Sequence, residues 1–199
     1  MLKKSMLVSF LWSFLLVGCG SDIKDTAPSG KDSPSSLEAG EISSENKQKL
    51  FVALQSDDSS IVRTTLKDQT HIDYKFENGT TPLTMAVSEN RSEIVFMIIN
   101  KVQNFDIKEE SGETALIKAI KRNSSLVVDL LIRKGADLNL SDNNGVTPLY
   151  HALYRANESA AVELLKNGAH LENQGNKSIV ELSTDLNLRR VSRLIPLIE

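Results

Sequence analysis

Three columns of small and apolar residues recur along this chain every 33 positions. They are Leu50, Leu83, Leu116 and Leu149; Ala53, Ala86, Ala119 and Ala152; and Ile72, Phe105, Leu138 and Leu171. No other feature constrains the fold as strongly. A fixed period of this length means copies of one supersecondary unit. No copy can bury its apolar face alone, so neighbours must stack. The words between the columns repeat as well. Asn78-Gly79-Thr80-Thr81-Pro82-Leu83 is echoed by Asn144-Gly145-Val146-Thr147-Pro148-Leu149, with Ser111-Gly112-Glu113-Thr114-Ala115-Leu116 between them. Each word opens a helical pattern, then a short polar break, then a second apolar helix: SEIVFMIIN, SSLVVDLLIRKGADLN or SAAVELLKNGAHLE. The glycine suits a turn of positive φ. Thr81, Thr114 and Thr147 stand where a hydroxyl caps the first helix. Pro82 and Pro148 fill its first turn, where a missing N–H costs little. The alanines let units approach closely and the leucines fill the seam. The predicted fold is all-α, a solenoid of stacked helix pairs with short hairpin loops.

This unit of a turn and two helices with its T-P-L word resembles the ankyrin repeat, whose signature runs T-P-L-H-x-A. The resemblance covers about Glu45 to Glu199 and implies about five repeats including caps. An N-terminal cap is expected over 46–78, repeats over 79–111, 112–144 and 145–175, and a C-terminal cap over 176–199. The family's histidine slot holds Thr84, Ile117 and Tyr150 instead. The bond from that imidazole to the turn is therefore expected to be lost in all three repeats, leaving looser turns. The Gly-Ala pair ending the second helix stands at Gly135-Ala136 and Gly168-Ala169, but is Val102-Gln103 in the repeat before. The last unit admits two registers. A strict 33-residue step puts Leu182 in the leucine slot. The preferred register has a shortened hairpin, with Lys177 to Ser183 as a capping turn and helix and the final helix over 189–195.

The start of the chain carries a different signal. Lys3 and Lys4 precede Ser5 to Val17, which is mostly apolar. That run is short for a transmembrane helix, which needs roughly 20 residues, and fits a secretory signal. It ends Leu16-Val17-Gly18-Cys19, which resembles the lipobox of bacterial lipoproteins. The resemblance implies a signal peptide over 1–18, removed on maturation, and a lipidated Cys19 as membrane anchor. The alternatives are an ordinary cleaved signal and an uncleaved anchor with an incidental cysteine. Each buried CH₂ contributes about 0.8 kcal/mol, so stable anchoring needs more than one acyl chain. Gly20, not an aspartate, follows the cysteine. By the enteric sorting rule, the expected location is the outer membrane, facing the periplasm. In residues 20–45, Ser, Gly and Pro make up 12 of 26 positions, and only Ile23, Leu37 and Ile42 are large and apolar. Such a stretch cannot offset its ordering entropy. Residues 19–45 are expected to be a lipidated tether whose ends lie roughly 25–30 Å apart.

The formal net charge is −3, and loss of Lys3 and Lys4 with the leader leaves 21 basic and 26 acidic side chains, a net of −5. An acidic chain lacks the basic footprint that nucleic acid demands. Cys19 is the sole cysteine, so no internal disulfide can form. His71 and His170 occupy matching hairpin positions in different repeats, too far apart to share a metal. No H-E-x-x-H, G-x-S-x-G or P-loop spacing occurs. Gly175-Asn176-Lys177-Ser178 lacks the earlier glycine of a phosphate loop. No cofactor and no catalysis are expected, a hydrolytic enzyme being the minor alternative.

Partners of ankyrin proteins usually meet the concave surface made by the hairpin tips and the exposed side of the first helices. Carried over by position, the tips offer Lys75, Glu77 and Thr80, then Lys108, Glu110 and Glu113, then Ser141, Asn143 and Val146. The ends of the first helices offer Glu89, then Lys121 and Arg122, then Tyr154 and Arg155. Tyr150 stands one turn before Tyr154, so the two can share a helix face. Tyr and Arg are enriched at binding hot spots. Tyr150, Tyr154 and Arg155 are therefore the expected centre of a contact with another protein. Alternatively, Tyr150 packs between repeats and Arg155 is an ordinary solvated charge. The resemblance to secreted bacterial ankyrin proteins suggests a partner that is restrained, as in immunity-type inhibition of a periplasmic peptidoglycan hydrolase. A passive envelope scaffold or assembly factor is the rival expectation.

Overall fold

The computed structural model describes residues 43–171 apart from 57, 68 and 70, together with 181, 183, 184 and 188–197. The expected signal peptide, Cys19, the tether up to residue 42 and Leu182 lie outside the described residues. So does most of the expected capping turn and helix.

Each of the first four units folds as two antiparallel helices, and the described residues of the last unit add a second helix. The first helices are α1 (Ser44–Ser56), α3 (Pro82–Ser88), α5 (Ala115–Lys121) and α7 (Pro148–Tyr154). The second helices are α2 (Ser59–Leu66), α4 (Ser92–Ile98), α6 (Ser125–Arg133), α8 (Glu158–Lys166) and α9 (Arg189–Leu194). The first helices pack side by side in one row and the second helices in another. Helix α1 starts at Ser44, so Ser44 and Glu45 belong to the helix and not to the spacer. Glu45 pairs with Lys49 one turn on, at 2.7 Å.

Helices of seven residues are far too short to persist alone in water, so stacking must hold them. The repeated columns show how. The four leucines and four alanines are all buried, none more than 4% exposed. Ile72 is buried too, while Phe105, Leu138 and Leu171 pack half-buried against the same core.

Local chemistry sets the ends of each helix. Thr81 Oγ1 accepts the Thr84 N–H at 3.0 Å, Thr114 Oγ1 that of Ile117 at 3.4 Å, and Thr147 Oγ1 that of Tyr150 at 3.3 Å. Pro82 and Pro148 open their helices where no N–H is needed. Gly112 turns its hairpin at φ +77°, and a β-carbon there would stand 2.4 Å from the Asn143 backbone nitrogen. Helices α6 and α8 end on Gly135 and Gly168 in the left-handed region. There the Ala136 and Ala169 N–H groups return to Leu131 and Leu164 carbonyls. Val102 stands in the same slot after α4. The helix tightens there into a 3₁₀ turn, Ile99–Lys101, and Val102 is extended.

The second helices have N-caps at Asp58, Arg91, Ser124 and Asn157, 33 apart, and then at Leu188, only 31 later. The last unit therefore keeps the shortened register. A strict step would place its cap inside α9. Pro196 falls in the 3₁₀ turn Ile195–Leu197 that follows α9.

Candidate functional site

The face that could meet a partner is built from the hairpins and the first helices, so what fixes the hairpins comes first. Asp73, Asp106 and Asn139 stand one per hairpin, 33 apart. Each accepts a backbone N–H from the next repeat. Asp73 takes Gln103 at 2.9 Å and Asn104 at 3.3 Å, Asp106 takes Asp137 at 2.9 Å, and Asn139 takes His170 at 2.8 Å. Sequence reasoning missed this ladder: the sequence shows a column of short acceptors at the repeat period, but not the backbone groups they meet. Two further links tie the tips together. Lys108 Nζ donates to the Ser141 carbonyl and Asn143 Nδ2 to the Glu110 carbonyl, both at 2.6 Å. Lys108 and Asn143, expected to be open to a partner, thus hold neighbouring hairpins to one another.

The bond expected to be lost with the family's histidine has counterparts of other kinds. No imidazole occupies the histidine slot, but other groups brace the turns. Thr84 completes a reciprocal cap, its buried Oγ1 accepting the Thr81 N–H at 2.9 Å. One position further along the helices stand Met85, Lys118 and His151, again 33 apart. Their counterparts in the hairpins are Phe76, Glu109 and Asp142. Lys118 meets Glu109 at 2.7 Å, and His151 Nε2 meets Asp142 Oδ2 at 3.0 Å. Phe76 and Met85 pack against the apolar core instead. The brace has moved by one residue and changed chemistry. Asp142 also accepts the N–H groups of Asn144 at 2.9 Å and Val146 at 3.1 Å. Burial pushes its carboxyl up, but the Val146 amide, His151 and the Asn144 amide outweigh that and hold it below the usual range.

The remaining expected contact residues divide by exposure. Glu113 pairs with Lys121 and lies 3.6 Å from Lys118 Nζ, so these charges largely satisfy one another. Burial pushes the Glu113 carboxyl up, but Lys121 and Lys118 lower it by more. Thr80 Oγ1 is held by Asn78 Oδ1 at 2.7 Å, and Val146 is half-buried. Lys75, Glu77, Glu89, Glu110, Arg122, Tyr154 and Arg155 are exposed. Tyr150 and Tyr154 are brought together as expected. Their rings are nearly parallel, 11° apart, with centroids 6.4 Å apart. Tyr154 is 70% exposed, the most of the large apolar and aromatic side chains among the described residues. Tyr150 is half-buried and packs against the core, so it serves the stack and supports Tyr154 at once. Arg155 ends α7 as Arg122 ends α5, and those helices lie side by side.

The family profile of ankyrin repeats (3 copies) matches residues 97–175. No curated protein matches the chain. Residues 97–175 thus carry ankyrin repeats, and the described residues form an all-α solenoid of stacked helix pairs consistent with that match. Such repeats indicate a module for protein–protein interaction and generally act as non-catalytic scaffolds.

Proposed function

We propose that this chain is a lipid-anchored envelope protein that grips a partner protein on the face made by its hairpins and first helices. Tyr150, Tyr154 and Arg155 form the centre of that contact. The carrying observation is the stacked tyrosine pair. An exposed ring held parallel to a half-buried one offers a large contact area that is already ordered, so little entropy is lost on binding. Arg155 and Arg122 add donors for carboxylates or backbone carbonyls.

The leader over 1–18 and the cysteine at its end support anchoring through Cys19, at the outer membrane and facing the periplasm. Partners within reach there include peptidoglycan hydrolases, and inhibition of one, as an immunity function, is the role proposed.

Three experiments test these steps. A photo-crosslinking residue at position 154 of the full chain should trap one envelope protein, and one at position 126 should not. Leu126 is 53% exposed and sits on α6, in the other helix row. Equal trapping at both positions would contradict the proposed face. The trapped protein should cleave peptidoglycan more slowly with the chain present; an unchanged rate would leave only a scaffolding role. Labelled palmitate should enter the parent and not Cys19→Ser, and label retained in the variant would refute the anchor.

A further inference from the structure

Helix α1 and the first hairpin enclose a groove of about 280 Å³, lined by Phe51 and Phe76, Lys47 and Lys75, and Gln48 and Glu77 among others. Phe51 meets Phe76 edge-on, with centroids 4.9 Å apart, and Phe76 meets Tyr74 at 5.4 Å. Lys47 Nζ lies 5.1 Å from the centre of the Tyr74 ring. The repeat pattern marks this groove as a departure. The counterparts of Phe76 are Glu109 and Asp142, which brace their turns with Lys118 and His151. The first hairpin has replaced that polar brace with an aromatic ring. In the helix column, Thr84 and Ile117 are buried, whereas Phe51 and Tyr150 are only half-buried. The two aromatic members thus stand three repeats apart. The groove also carries a local excess of positive charge. The chain is acidic, with a net charge of −3, yet two lysines and one glutamate line the groove.

Building on the proposed binding face, we infer that this groove takes an acidic segment of the partner protein. One large apolar side chain of that segment inserts against Phe51 and Phe76, and flanking carboxylates meet Lys47 and Lys75. The volume sits at the lower edge of small-ligand pockets, about 300 Å³. It suits one or two side chains. The groove's two lysines give such a segment a landing point.

The test is fluorescence anisotropy on the full chain with three labelled peptides of equal length. One carries phenylalanine flanked by aspartate and glutamate, the second replaces those by asparagine and glutamine, and the third by lysine. The acidic peptide should bind at least tenfold more tightly than either of the others. Lys75→Glu, at an exposed position, should weaken it severalfold, and Lys47→Glu with Lys75→Glu tenfold or more. Lys166→Glu, an equal charge change on the exposed side of α8, should leave it unchanged. Equal binding of all peptides, no binding of the acidic one, or indifference to Lys75→Glu would overturn the groove assignment. Trapping at position 154 is read separately. If it persists while the peptides fail, only the groove falls; if it fails too, the whole face does.

Discussion

At Ala156 the chain takes φ +52°, the left-handed conformation that Asn123 and Asn90 take one and two repeats earlier. Asparagine tolerates that region, whereas an alanine β-carbon meets the following carbonyl, at roughly 1–2 kcal/mol. Ala156→Asn should therefore stabilise the fold by about 0.5–1 kcal/mol, read as a higher urea midpoint; a lower midpoint would contradict the strain. Tyr74 presents the opposite case. Its hydroxyl is buried without a hydrogen-bond partner, and burial pushes its phenol pKa well up. Tyr74→Phe should be neutral or stabilising by up to about 1 kcal/mol, where most buried tyrosines would lose stability. Asp142 carries a pH dependence. Its folded pKa is depressed, so its contribution is present above the unfolded value, about 3.9, and is lost as pH falls through the folded value. Asp142→Asn should be less stable than the parent at pH 7 and should lose less of its remaining stability on going to pH 3. Urea melts at the two pH values measure this, and parallel losses would count against the Asp142–His151 brace.

The helices show how far the 33-residue columns could be read. Leucine, alanine, threonine and proline at fixed spacing place both helix rows, their caps and their buried seam. Periodicity tells which positions repeat. It does not tell which atoms meet across a hairpin, so the Asp73–Asp106–Asn139 ladder and the brace at Lys118 and His151 were not legible, although every residue was in view. Likewise, Lys108, Asn143 and Glu113 are polar tip residues and Lys121 a polar helix end by pattern, and only the folded structure reveals their internal partners. Tyr150 and Tyr154 were legible because one helical turn fixes their relation. The seam itself predicts a large effect. Leu116 is fully buried in the central first helix, and Leu116→Ala should cost about 2–5 kcal/mol. Because a repeat touches only its neighbours, the loss should broaden or split the unfolding transition, which a calorimetric scan would reveal. A single sharp transition at an unchanged temperature would argue against a stacked array.

Across the whole molecule, the braces, the ladder and the two helix rows fix one face, and the exposed Tyr154 and Arg155 stand on it with Tyr150 beneath. The proposed groove at Phe51 and Phe76 lies three repeats away, so a partner using both would span much of the array. The central claim is that a partner protein binds through this face. The most direct measurement is the affinity of the crosslinked partner, once purified, for the full chain and for two double variants. Tyr154→Ala with Arg155→Ala removes exposed groups and leaves Tyr150 packed. Leu126→Ala with Arg133→Ala changes exposed groups in the other row. Dissociation constants should rise at least tenfold for the first variant and stay within twofold of the parent for the second. An unchanged constant for the first, or a loss confined to the second, would contradict binding through the hairpin and first-helix face.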